Sequence, residues 1–223
     1  MRLPHQGTES MWTAAILAGG RARRLKGLNK AGLVLNPAAV RPGAPGGDTV
    51  LDRQLKLLGR VVDRTVIIAT DAEAFLASGV PVIPDLMPGG GALGALYTAV
   101  HAAETDRVLV VACDMPFVTE PLLAYLVEAG RSADIVIPRT ARGYEPLCAT
   151  YSRRSEGELL RLINEQRFKL SEVASIPGLT IRELGPNELE PFGPEEVLFF
   201  NINTPDDYVR AVNIDGEYRS LIG

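Results

Sequence analysis

Between Thr13 and Lys30 the chain reads Thr-Ala-Ala-Ile-Leu-Ala-Gly-Gly-Arg-Ala-Arg-Arg-Leu-Lys-Gly-Leu-Asn-Lys. An apolar run ends at Gly19-Gly20 and is followed by the cations Arg21, Arg23, Arg24, Lys26 and Lys30. This order has a chemical meaning. Glycines straight after a strand let backbone N–H groups approach an anion without Cβ interference, and clustered Arg and Lys supply the charge that a polyphosphate requires. No Gly-Lys-Ser/Thr closes the loop, which excludes a Walker A loop, and the glycine spacing is not that of a dinucleotide-binding fingerprint.

Acidic and amide side chains complete the set of candidates. Asp114 follows the apolar run Arg107 to Cys113, and its ordinary role would be to cap the next helix. Thr119, with Glu120 and Pro121 in the first turn, is placed to take that role, which leaves Asp114 as a hard oxygen ligand suited to Mg²⁺. Asp85 precedes a glycine-rich turn (Leu86 to Gly94) that lets a base or sugar come close to backbone; a solvated loop carboxylate is the alternative. Asn201 and Asn203 end a run read as a strand, Val197 to Ile202, so their amides should project together. They would serve Mg²⁺ as neutral oxygen donors, hydrogen-bond a substrate, or satisfy strand-end backbone. Asp206 and Asp207, behind Thr204-Pro205, read as helix-starting groups.

The elements that must position these residues alternate. Strands are expected at the start of the Thr13 stretch, Arg64 to Thr70, Val80 to Ile83, Arg107 to Cys113 and Asp134 to Pro138. Helices are expected at Thr49 to Leu58, Asp71 to Ser78, Ala92 to Glu104 and Pro121 to Ala129. Beyond Arg142 the rhythm loosens into strands Pro146 to Tyr151, Leu179 to Glu183 and Val197 to Ile202, with helices Glu156 to Asn164 and Pro205 to Val212. Continuous apolar strands alternating with helices predict an α/β fold, a mostly parallel central sheet covered on both faces. In such a sheet ligands bind beyond the carboxyl ends of the strands. The basic loop, Asp85, Asp114 and the Asn201–Asn203 pair all follow strands, and can meet at one edge.

Composition narrows the function. The chain has 223 residues, 46% apolar and 22% charged, which suits a soluble globular protein. Residues 1–12 read as a disordered leader and 13–223 as one domain, with Asn36 to Asp48 a Pro/Gly-rich surface excursion. A net charge of −4 with one basic loop points to a local anionic ligand, with no nucleic-acid or membrane partner. Cys113 and Cys148 lie in apolar runs without metal-ligand spacing, and no signal peptide or membrane span is legible, so a reducing, cytoplasmic location is expected.

Taken together, Leu17-Ala18-Gly19-Gly20-Arg21-Ala22-Arg23-Arg24 with Lys30, Asp85 before Gly91-Ala92-Leu93-Gly94, Ala112-Cys113-Asp114-Met115-Pro116-Phe117 and Asn201-Ile202-Asn203-Thr204-Pro205 resemble the molybdenum cofactor guanylyltransferase family. The resemblance runs in order from about Thr13 to Val212. It implies a Rossmann-like three-layer nucleotidyltransferase that uses GTP and Mg²⁺ to attach GMP to the terminal phosphate of the molybdenum-pterin cofactor, releasing pyrophosphate. It further implies that Leu17, Ala18, Gly19 and Gly20 hold the nucleotide and Lys30 its phosphates, with Asp85 on the guanine or ribose side. Asp114 would bind Mg²⁺, helped by Asn203, and Asn201 and Asn203 would face the pterin. Transient contacts with cofactor-biosynthesis proteins and recipient molybdoenzymes follow from the same resemblance. The chain departs from the family pattern at Lys26 (often Gly), Asn29 (often Asp), Ala92 (often Pro) and Ala69 (Asn in some members), positions that bear on the base pocket.

The implied reaction needs little acid–base chemistry, because a phosphate monoester is already ionised near neutral pH. Positioning and charge neutralisation by Arg24, Lys30 and Asp114 with its metal would carry catalysis. Two other readings use the same residues: a related enzyme with another triphosphate or acceptor, such as a cytidylyl version or a sugar phosphate, and a non-catalytic nucleotide-binding module.

Overall fold

In the computed structural model, residues 11–18, 32–36 and 48–222 are described, the side chains of residues 219–222 apart. The expectations for Gly19, Gly20, Arg21, Arg23, Arg24, Lys26, Asn29 and Lys30, for most of the Pro/Gly-rich excursion and for residues 1–10 lie outside the described residues.

Strand β1 (Trp12–Leu17) is buried along its whole length, beginning one residue inside the expected leader. Its side chains alternate between two cores: Trp12, Ala14 and Ile16 enter one, Ala15 and Leu17 the other. A strand with apolar residues on both faces belongs at the centre of a covered sheet. Its neighbours are β2 (Arg64–Ala69) and β4 (Arg107–Ala112), both parallel to it, and β3 (Val82–Pro84) extends the sheet beyond β2. On the other side follow β7 (Cys148–Ser152), β5 (Ile135–Thr140) and the short β6 (Gly143–Tyr144), with β8 (Ile181–Leu184) also paired to β5. The order is β3-β2-β1-β4-β7-β5-β6.

Helices cover both faces. Helix α1 (Val50–Val61) and α3 (Glu120–Gly130) contribute Leu58, Leu122, Leu123 and Leu126 to one core. Helix α2 (Gly91–Ala102) and α4 (Glu156–Asn164) contribute Leu93, Leu96, Leu159 and Leu162 to the other. Two short helices, α5 (Pro186–Leu189) and α6 (Glu195–Leu198), lead to the closing α7 (Pro205–Ile222). Helix α7 sets Ala211 against Leu33, Leu35 and Val50, and an Arg53–Asp215 ion pair ties it to α1. The result is a three-layer α/β sandwich whose strands β1 to β4 are parallel.

Two elements differ from the sequence expectations, and a third, found as the expected strand, sits antiparallel within the mostly parallel sheet. Strand β7 runs antiparallel to both β4 and β5, because only residues 141–147 separate β5 from β7, too few for the crossover that parallel pairing demands. The segment Asp71 to Ser78 forms a 3₁₀ helix over Glu73–Ser78. The run Val197 to Ile202 is not a strand. Its first residues close α6, where Leu198 N–H donates to Pro194, and the rest is irregular chain that drops Phe199 into the first core and Phe200 and Ile202 into the core under α7. A short apolar run does not by itself separate strand from helix.

Candidate active site

The parallel register lines up the carboxyl ends of four strands. Leu17 is level with Ile68 on β2 and with Ala112 on β4, while Ala69 is level with Pro84 on β3. The residues just beyond, Ala18, Asp85 and Asp114, therefore share one edge. Backbone bonds fix them: Ala18 N–H donates to Ile68 O (2.8 Å), Asp85 N–H to Ala69 O (3.0 Å) and Cys113 N–H to Leu17 O (3.1 Å). Three steps across the sheet, at about 4.8 Å each, put Asp85 and Asp114 roughly 14 Å apart, a span comparable with an extended nucleoside triphosphate. The strand order reverses between β1 and β4, the switch point at which open α/β sheets form a ligand crevice.

On the β3 side, one carboxylate oxygen of Asp85 organises the glycine-rich turn. Its Oδ1 accepts from Met87 N–H (2.9 Å) and from the Thr98 hydroxyl (3.0 Å), whose oxygen in turn accepts from Leu86 N–H (3.0 Å). Oδ2 accepts no hydrogen bond from the described residues, so the half-buried carboxylate retains an acceptor for a ligand N–H or O–H. Gly94 makes this packing possible: a Cβ there would stand 2.2 Å from Met87 O.

On the β4 side, Asp114 lies in a turn closed by Met115 N–H donating to Ala112 O (3.2 Å). Thr119 holds the N-cap position of α3, but its hydroxyl makes no capping bond and is buried without a partner among the described residues. The expected division of labour thus stands in backbone position and not in the side-chain bond. Ile202 N–H donates to Asp114 O (3.0 Å), which brings the Asn201–Asn203 segment beside the Asp114 turn. Asn201 and Asn203 reach this edge on irregular chain, and Asn201 Nδ2 donates to Phe199 O (3.0 Å). Asp207 behaves as a capping group: its Oδ2 accepts from Asn203 and Thr204 N–H (3.0 and 2.9 Å), while its own N–H donates to Thr204 Oγ1 (3.1 Å).

Gln54 and Glu145 also belong to this edge, and neither was singled out from the sequence. Gln54 lies on the buried stripe of α1 between Val50 and Leu58, and its Nε2 donates to Ala112 O (2.8 Å) and Met115 O (3.0 Å). An amide interrupting an apolar stripe was its sequence signal. Glu145 lies in the connection to β7, close to Leu147, whose carbonyl accepts from Ala112 N–H (2.8 Å). Burial pushes its carboxyl up to about 7; Arg142 opposes that rise and Glu195 reinforces it. Burial pushes the Cys148 thiol well above the usual thiol range.

A hard divalent cation suits the donors of this edge. Asp114 offers a carboxylate, Asn203 on the adjoining segment an amide oxygen, and no group of three or more His, Cys, Asp or Glu suited to a metal occurs among the described residues.

A parallel-core sheet with a polar carboxyl edge at its switch point defines the class as a doubly wound α/β protein with its ligand site at that edge. The chain belongs to the family described as the MobA-like NTP transferase domain, whose model matches residues 14–174. It is 34% identical, over 201 residues covering 89% of this chain and 91% of the relative, to a probable molybdenum cofactor guanylyltransferase of Pelotomaculum thermopropionicum. Identity is 30% over 200 residues (89% and 93% covered) to a molybdenum cofactor guanylyltransferase of Desulfosudis oleivorans. Among solved structures, the molybdopterin-guanine dinucleotide biosynthesis protein A of Archaeoglobus fulgidus superposes with a TM-score of 0.73 at 28% identity, with 92% of this chain and 99% of that one covered. The fold is shared more widely: the 2-C-methyl-D-erythritol 4-phosphate cytidylyltransferase of Thermus thermophilus superposes at 0.57 with 14% identity, over 93% and 100% of the two chains. Among the described residues no helix is long and apolar enough to cross a membrane.

Proposed function

We propose that this protein, residues 13–223 acting as one nucleotidyltransferase unit in the cytoplasm, transfers GMP from GTP to the terminal phosphate of the molybdenum-pterin cofactor. The observation that carries the reading is the shared edge: Asp85 and Asp114 stand on either side of Ala18, at a separation suited to a triphosphate nucleotide. The relatives' names supply the nucleotide and the acceptor.

An oxygen of the acceptor's phosphate forms a bond to the α-phosphorus of GTP, and the bond from that phosphorus to the β-phosphate bridging oxygen breaks, so pyrophosphate leaves. No proton need be removed from the nucleophile near neutral pH. Leu17, Ala18, Gly19 and Gly20 line the nucleotide, and Arg24 and Lys30 neutralise the departing phosphates. Asp85 accepts from the base or ribose through Oδ2. Asp114 and Asn203 would hold Mg²⁺, which when bound supplies charge neutralisation at the phosphates. Asn201 and Asn203 face the pterin side. The work of the site is positioning and electrostatics, in keeping with a chemistry that asks for no histidine. Cofactor-biosynthesis proteins and recipient molybdoenzymes are the macromolecular partners this product would require.

The test is pyrophosphate release by purified protein with Mg²⁺, each nucleoside triphosphate in turn, and the molybdenum-pterin cofactor, with the dinucleotide product identified by mass. Release with GTP and this acceptor supports the reading. Release with CTP or with a sugar phosphate selects the related enzymes, and tight nucleotide binding with no turnover selects a binding module.

A further inference from the structure

We propose that Gln54 is a positioning residue for the carboxylate of Asp114, an inference that rests on the metal-binding reading of Asp114 given above. The Gln54 side-chain nitrogen donates to Ala112 O (2.8 Å) and to Met115 O (3.0 Å), the two carbonyls that bracket Cys113 and Asp114. The residue is 2% exposed. Two carbonyl partners fix the amide's orientation, since only its nitrogen can donate. Its Oε1 then points into the interior with no hydrogen-bond partner among the described residues.

That orphan oxygen is informative. Val50 and Leu58 flank Gln54 on the same buried stripe of α1, where a Leu or Met would fill the volume without burying an unmade hydrogen bond. Filling space therefore does not account for an amide here; gripping the turn does. The other bonds described around this turn are made by backbone: Cys113 N–H to Leu17 O, Ala112 N–H to Leu147 O, Met115 N–H to Ala112 O and Ile202 N–H to Asp114 O. Gln54 adds a rigid helical support beneath both ends of the loop. Without it Asp114 keeps its charge and its turn keeps only the backbone bonds named above, so its position loosens and metal affinity falls while recognition at Asp85, three strands away, does not.

The test replaces Gln54 by Met, which preserves volume and removes both donors, with Mn²⁺ as a paramagnetic probe of the metal site in the presence of GTP. Mn²⁺ affinity and the Mg²⁺ half-saturation of pyrophosphate release are both expected to weaken about tenfold, the usual consequence of losing a group that orients a metal ligand. The KM for GTP at saturating Mg²⁺ should stay within about twofold and turnover should recover there, a split that general loosening would not give. Leu58→Ala destabilises the same helix without touching the turn and should bind Mn²⁺ like wild type. Should Gln54→Met fail to fold, Gln54→Asn, with its amide drawn back by one methylene, reads the same effect. Wild-type Mn²⁺ affinity in the Gln54 variant, or an equal loss in Leu58→Ala, overturns the proposal. Asp114→Ala separates the two levels: if it loses Mn²⁺ while Gln54→Met does not, only the positioning role falls, whereas undiminished Mn²⁺ binding in Asp114→Ala overturns the metal reading and this inference with it.

Discussion

Asp114, Asp85 and Asp207 are aspartates near helix starts or turns, and their neighbours assign them different work. Asp207 is occupied by two backbone N–H groups and reciprocated by Thr204, so its duty is to the start of α7. The Thr-Pro-Asp-Asp order made that legible in the sequence. Near Asp114, Thr119 holds the N-cap position of α3 that the sequence indicates but makes no hydroxyl bond there, because spacing identifies a cap position and not its side-chain geometry. Replacing Asp114 by Ala is expected to reduce pyrophosphate release by about 10²–10³-fold, the usual consequence of deleting one preorganised electrostatic group, with the far-ultraviolet spectrum unchanged. Asp85→Asn is a subtler probe. An amide Oδ1 can still accept from Met87 and Thr98, while the atom replacing Oδ2 becomes a donor. The KM for GTP should rise by about tenfold or more, since a site that loses its matching acceptor discriminates strongly, while the unfolding midpoint stays within a degree or so. Steady-state kinetics and a thermal melt on the same variant check both halves.

Among the elements, those with a long unbroken pattern were legible and those defined by their partners were not. The runs that became β1, β2, β4, α2 and α3 carry periodicity over enough residues to name their type. The direction of β7 depends on connection length, and the irregular chain at Phe199 to Asn203 depends on two cores, one taking Phe199 and the other Phe200 and Ile202. Gln54 was missed for a related reason: on a helical stripe a single amide reads as an exception until the turn above it is seen. The glycine-rich turn before α2 offers the test at this scale. Gly94→Ala would place a methyl against Met87 O, a backbone atom that cannot swing aside, so the turn must shift. A stability loss of about 1–3 kcal/mol is expected from such overpacking. Because Asp85 grips the same turn, GTP affinity should fall with it, as measured by calorimetric titration. Unchanged affinity would detach the turn from the nucleotide side.

For the whole molecule, the sandwich sets two buried or half-buried acids against each other in pH. Asp134 joins three strands: although burial alone would raise its pKa, Thr180 N–H, the Ser152 hydroxyl and the Arg154 guanidinium hold it below the usual carboxylate range. A depressed folded-state value contributes stability that is present above the unfolded pKa and is lost as pH falls through the folded one. Glu145 has the opposite sign. Burial raises it to about 7, with Arg142 and Glu195 the charged groups that act on it and Cys148 neutral beside it, so the folded state holds a proton that the unfolded chain has released. Its contribution is complete below about pH 4.3, the unperturbed glutamate value, and disappears as pH rises towards 7. In Glu145→Gln the proton-binding difference is gone. The variant should match wild type near pH 4 and exceed it at pH 8 by about 1–2 kcal/mol, after allowing for solvent that reaches this half-buried group. Asp134→Asn should show the reverse, losing most relative to wild type at neutral pH and converging with it in acid. Urea unfolding of wild type and Glu145→Gln from about pH 4 to 8, and of wild type and Asp134→Asn extended down to about pH 2, gives both difference curves. A Glu145→Gln curve parallel to wild type throughout would mean that the carboxyl titrates in the folded protein as it does in the unfolded chain.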